Sequence, residues 1–149
     1  MIEKDIIGEV AGIYLKDKKG VNKLIEEGHF LEDKGFSENL RSHKEHRQVS
    51  FFTVEGWDEI LSSGNIGLCT KRFHEDIRLR NLKLREIKVG SLIKIGDAIF
   101  QITEIGKRCF PECPLVKKGV NCLLSKEVMF ATVIKRGNVR VGESMMIIK

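Results

Sequence analysis

The sequence predicts a mainly β protein, a small barrel or sandwich with one or two short helices. Three observations carry this. Short runs rich in β-branched and aromatic residues recur along much of the chain, and turn-forming Gly, Asp and Asn fall between them. Only one stretch has the period of an amphipathic helix. Closely spaced short strands with so little helix belong to barrels and sandwiches. At 149 residues the chain is the size of one domain and long enough to bury a core. No linker divides it, so residues 1–149 are read as a single domain.

Taken in order, Ile6 to Leu15 mixes β-branched residues and glycine in a rough alternation and ends at the turn-like Lys16 to Gly20. Gln48 to Val54 (QVSFFTV) is a run of β-formers. Glu55 to Ser63 is the helix: Trp57, Ile60 and Leu61 fall at i, i+3 and i+4, and Gly64 suits a left-handed cap. Leu92 to Ile95 and Ala98 to Ile105 form a hairpin about Gly96-Asp97, with Ile99, Ile102 and Ile105 as inward candidates. Met129 to Ile134 and Val139 to Ile148 repeat that pattern around Arg136-Gly137-Asn138.

The composition, 42% apolar and 32% charged, is that of a globular protein, without low-complexity tracts. No apolar run approaches the roughly 20 residues of a membrane helix, so no membrane partner is expected. Met1 to Val10 carries acidic residues and no apolar core, unlike a secretory signal. The expected location is cytoplasmic, where thiols stay reduced. Net charge is +5, but the cations are spread out, and one Trp and one Tyr offer little for base stacking. The charge therefore suits a small anionic ligand, and no nucleic-acid partner is expected.

The chemistry gathers between Cys109 and Cys122, CFPECPLVKKGVNC, which holds three of the four cysteines and both prolines. Lys107, Arg108, Lys117 and Lys118 surround the thiols with positive charge, which favours the thiolate, the form that attacks or ligates. Pro111 and Pro114 stiffen the segment. Cys69, between Leu68 and Thr70, reads as a small buried apolar side chain. The spacing C-x3-C-x8-C lacks the paired C-x2-C of structural zinc and would need His43, His46 or His74 as a fourth ligand, or an open position. An iron–sulfur cluster with one exchangeable site fits the same count. Spacing alone leaves these open. Arg47, before the strand Gln48 to Val54, and Arg72 are candidates to fork onto a phosphate. Glu75 with Asp76 is a candidate carboxylate pair, although neighbours on a strand face opposite sides.

The order of segments resembles the MOSC domain family, named for the C-terminal domain of molybdenum cofactor sulfurases. The matching phrases are His46 to Ser50 (HRQVS), Lys71 to Ile77 (KRFHEDI), Leu84 to Gly96, Ala98 to Cys109 (AIFQITEIGKRC), Phe130 to Gly137 and Val139 to Gly142. They run in the family's order from about Gly8 to the end, most like its short stand-alone bacterial members. Where the family usually shows Glu-Asn, this chain has Glu75-Asp76. Its Asp-x-His near the first strands appears only as Asp33-Lys34-Gly35, and Phe36 to Glu45 reads as a longer polar loop.

The resemblance implies a MOSC-type β-barrel and a role around molybdenum cofactor (molybdopterin). The family's characteristic cysteine falls on Cys109, as a sulfur-carrying persulfide or as a metal-ligating thiolate. Cys113 and Cys122 would then act as resolving or co-ligating thiols, with Arg47, Arg72, Lys107, Arg108, Glu75 and Asp76 on the cofactor side. The implied activity is sulfurtransferase-like. Partners would be the cofactor or a molybdoenzyme, with a separate cysteine desulfurase as donor, since the chain shows no pyridoxal phosphate lysine motif. The alternative is a non-catalytic module that holds zinc, iron–sulfur or a metal cofactor through Cys109, Cys113 and Cys122.

Overall fold

Alternation builds the wall of the molecule. In β8 (Ala98–Ile105) the side chains of Ala98, Phe100 and Ile102 are buried, while Ile99, Gln101 and Thr103 are not. The computed structural model describes residues 6–16, 22–32, 34–37, 48–63, 75–106, 119 and 127–148. Ahead of β8 come β1 (Ile6–Lys16), β2 (Asn22–Ile25), β3 (Glu27–Leu31), β4 (Gly35–Phe36), β5 (Val49–Thr53), helix α1 (Val54–Ser63), β6 (Ile77–Arg80), a 3-10 turn at Leu84–Glu86 and β7 (Leu92–Ile95). After it come β9 (Met129–Lys135), β10 (Gly137–Arg140) and β11 (Ser144–Ile148).

Seven strands form a closed ring in the order β11, β7, β8, β9, β5, β6, β1, sealed where β1 pairs with β11. β2 attaches to β1 outside the ring. Neighbours in the ring are antiparallel except β5 and β6, where Phe51 lies beside Ile77 and Thr53 beside Leu79 in parallel. Parallel neighbours need a crossover connection, and α1 lies in it.

The interior is aliphatic around four rings, Phe30, Phe36, Phe51 and Phe100, of which Phe100 meets Phe51 and Phe30 edge-on, at 5.7 and 5.4 Å between centroids. Phe30 and Phe36 belong to a second sheet, β10-β3-β4, and stack at 4.9 Å. That sheet packs beside the starts of β5 and β8. A Cβ on Gly35 (φ +82) would lie 2.3 Å from the Gln48 carbonyl oxygen, and one on Gly137 would lie 2.4 Å from the Ala98 nitrogen. At the other end the connection from β6 to β7 folds over the core. Lys83 donates its backbone N–H to Ile7 O (2.7 Å), Gly90 donates to Ile102 O (2.7 Å), and Ile87 between them joins the main core. Among the described residues no helix is long and apolar enough to cross a membrane.

The mainly β barrel with one helix and one 3-10 turn is the architecture expected. Several details differ. Ile99 faces away from the core that Phe100 fills; Ile102 is inward, and Ile105 packs at the core's edge after a register shift between Ile102 and Glu104. Val139 to Ile148 is not one strand. It divides at Val141-Gly142, and β10 leaves the barrel for the second sheet while β11 closes the ring. Leu61 is exposed, because α1 buries Gly56 and Ile60 instead. Phe36, read as the start of a polar loop, is a core residue. Gly64 lies outside the described residues.

Candidate functional site

The cysteine-bearing segment is the connection from β8 to β9. Cys109, Cys113 and Cys122, with Lys107, Arg108, Lys117 and Lys118, lie outside the described residues, as do Cys69, Arg47, Arg72, His43, His46 and His74. The two roots of the connection are described. Gly106 takes φ +86, the left-handed region that suits glycine, and donates its N–H to Val128 O at 2.5 Å. Val128 is fully buried, not in the main core but in a small cluster with Phe52, Ile60 and Phe130, against which Trp57 packs. The helix therefore sits on one root of the segment that carries the thiols.

A cavity of about 250 Å³ lies at this end, lined by Thr53, Glu55, Asn81, Leu82, Leu84 and Glu127. A second, of about 310 Å³, is lined by Ile6, Gly8, Glu9, Asn81, Lys83 and Ser144. Asn81 contributes to both. It holds φ +55, uncommon for a residue other than glycine, and donates its N–H to Glu55 Oε2 at 3.0 Å.

Glu75 and Asp76 do not act as a pair. They precede β6, both are buried, and each serves a different neighbour. Glu75 Oε2 accepts a short hydrogen bond from the Trp57 indole, and its Oε1 accepts one from Arg78 Nη2 at 2.8 Å. The Arg78 guanidinium lies 4.6 Å from the centre of the Tyr14 ring and 5.6 Å from that of Trp57. Its Nε is buried and finds no hydrogen-bond partner. Asp76 Oδ2 accepts from the Ser50 backbone N–H (3.0 Å) and hydroxyl (3.3 Å), and Asp76 returns its own N–H to Ser50 O (3.0 Å). These contacts pin the starts of β5 and β6 together. The Trp57–Glu75 contact links a helix to a strand start and was not legible in the sequence. The one signal was a single Trp on the apolar stripe of a single amphipathic helix.

Among the described residues, Gln48 and Glu75 lie by the start of β5, whereas Gly106 and Val128 lie just beyond the pairs that Met129 makes with Ile105 and Phe51, toward its other end. Among the described residues the first cavity is lined by two carboxylates, Glu55 and Glu127, and by no cation. Neither Glu75 nor Asp76 lines either of these two cavities. Among the described residues no three His, Cys, Asp or Glu are grouped to hold a metal ion.

No family model matches the sequence, and no curated protein matches it either. Solved structures do. The chain is similar to YuaD from Bacillus subtilis at 18% identity and a TM-score of 0.72, covering 95% of this chain and 96% of that one. It is similar to YiiM from Geobacillus stearothermophilus at 12% and 0.66, covering 95% and 75%. YiiM from Escherichia coli gives 12% and 0.63, covering 96% and 70%. Likeness at such identity speaks for the fold alone. YuaD and YiiM are MOSC-domain proteins, so the family resemblance read from the segments is supported at the level of the fold.

Proposed function

We propose that this chain is a MOSC-type sulfur carrier, cytoplasmic, that takes up sulfane sulfur as a persulfide on Cys109. The observation that carries this reading is the coincidence of a MOSC-like barrel with a cysteine cluster confined to one connection, that between β8 and β9. The donor would be the persulfide of a separate cysteine desulfurase. The Cys109 thiolate attacks the outer sulfur, the donor's S–S bond breaks, and the donor cysteine leaves as its thiolate. Cys113 or Cys122 can then accept that outer sulfur in the same way. Alternatively one of them attacks the Cys109 sulfur itself, closing a disulfide and expelling hydrosulfide. The disulfide route consumes no oxidant but needs a thiol reductant to reset it. Lys107 and Arg108, adjacent in sequence, favour the attacking thiolate.

The proposed acceptor is molybdenum cofactor or a molybdoenzyme. Contacts to the cofactor would fall to Arg47, Arg72, Lys107 and Arg108, the cations that flank the matching segments in sequence. The test is elemental analysis, absorption spectroscopy and cyanide-labile sulfur on protein purified without oxygen. Metal-free protein that carries labile sulfur, lost in Cys109→Ser, supports the carrier. Stoichiometric zinc or iron would sink it in favour of a metal-binding module built on the three cysteines.

A further inference from the structure

We infer that a strip of side chains on the outside of the barrel, running through Leu24, Tyr14, Arg78, Trp57 and Leu61, binds a second copy of this chain about a two-fold axis. The strip is continuous. Leu24 lies directly opposite Tyr14 in the β1–β2 pairing, so the two share a face. Gly12 stands opposite Arg78 in the β1–β6 pairing, and a Cβ there would lie 3.0 Å from the Tyr14 ring. The bare backbone at Gly12 thus leaves room for that ring beside the guanidinium. Arg78 lies 4.6 Å from the centre of Tyr14 and 5.6 Å from that of Trp57. Trp57 and Leu61 are one turn apart on one side of α1. The two ends stand out in solvent, Leu24 at 62% exposure and Leu61 at 66%. Continuous exposed apolar groups mark interaction surfaces, and Trp, Tyr and Arg are the types in which interface energy concentrates.

Charge says what covers it. α1 carries Glu55, Asp58 and Glu59 and no basic residue, on a chain of net charge +5. Asp58, three residues before Leu61, lies beside it. At the other end, β2 and the residues of β1 that it pairs, 13–16, hold two lysines, at positions 16 and 23, and no acid. Arg78, in the middle, is already answered by Glu75 at 2.8 Å. Among the described residues no ion pair engages Lys23, Asp58 or Glu59. A strip that is acidic at one end, neutral in the middle and basic at the other is complementary to itself turned end for end. A two-fold axis imposes that arrangement. Leu61 of each copy then meets Leu24 of the other.

The test is sedimentation and light scattering of the reduced full chain across concentration at low salt, where exposed charges are least screened. Wild type should pass from monomer to dimer with a Kd below about 0.5 mM. Emission from Trp57, the chain's one Trp, should shift over the same range. Leu24→Lys and Leu61→Asp should each raise the Kd at least about tenfold. An equimolar mixture of the two should dimerise again, because the cation introduced in one meets the carboxylate introduced in the other. Val89→Asp, also exposed but in the turn before β7, should leave the Kd unchanged. Circular dichroism confirms the fold. Should either strip variant fail to fold, Lys23→Glu and Asp58→Lys make the same comparison with the same pattern required. A chain that stays monomeric, leaving the strip to a basic partner protein, overturns the inference. So does a dimer that neither strip variant weakens, a mixture that does not recover, or dimerisation that leaves Trp57 emission unchanged.

Discussion

Glu75→Ala is expected to be one of the costlier single changes outside the barrel core. The side chain is only 3% exposed, and its two oxygens answer two separate donors, the Trp57 indole and Arg78 Nη2. Truncation leaves both donors without that acceptor beneath α1. An orphaned buried donor costs about 1–3 kcal/mol, and breaking a fully buried ion pair costs about 3–5 kcal/mol. Arg78 is 28% exposed and keeps its ring contacts, so water recovers part of the second loss. A destabilisation of about 2–4 kcal/mol follows, or roughly 4–16 °C in Tm for a domain of this size. Glu75→Gln separates the contributions. A carboxamide offers one acceptor where the carboxylate offered two, so it satisfies Trp57 or Arg78 but not both, and should cost about half as much. The assay is urea and thermal unfolding followed by circular dichroism and by fluorescence of the chain's one Trp, which is Trp57 itself. A Glu75→Ala melt within about 1 kcal/mol of wild type, with unshifted Trp57 emission, would refute this account of the clamp.

The inward register of β8 predicts that Phe100→Ala costs about 3–5 kcal/mol and Ile99→Ala far less, read from the same unfolding curves. Asp76→Asn should keep the acceptor that Ser50 uses and unfold close to wild type, whereas Asp76→Ala should lose about 1–3 kcal/mol; equal losses would show that the charge matters and not the acceptor. Gly137→Ala should destabilise, because the new Cβ would meet backbone atoms of Asp97 and Ala98; unchanged urea midpoints would count against the close approach of β10 to the β7–β8 turn. The carboxyl of Glu32 is held below its usual 4.5 by its own backbone N–H and then by Arg136, which bonds it at 2.9 Å. A lowered carboxylate stabilises above its unfolded value and loses that contribution as pH falls through the folded one, so Glu32→Gln should be less sensitive to acid below about pH 4.5 in unfolding titrations.

The sequence was most informative where local pattern and tertiary environment agree. The β7–β8 hairpin was legible from its turn and its alternation, and its bounds match those observed. The inward set of β8 was misread because isoleucines at three-residue spacing drew attention away from the strand period of two, which Ala98 and Phe100 obey. β6 went unread: in Ile-Arg-Leu-Arg the arginines look like solvated surface, whereas Arg78 lies beneath α1 between two rings. β10 and β11 were merged because both are β-rich and only the sheet each joins tells them apart. At the site, the residue types of Glu75 and Asp76 were legible and their partners were not, since each partner is brought in by a distant segment. Their cofactor role, like that of Cys109, Arg47 and Arg72, remains part of the proposal.

Around the barrel, direction can alternate without conflict only if the number of strands is even. This ring has seven, so one adjacent pair is obliged to run the same way, and that pair is β5 and β6. A chain leaving β5 must then return to its starting end before β6 can begin, and α1 is part of that return path. The return path is thus a consequence of parity, and a ring with one strand more or fewer could alternate throughout without it.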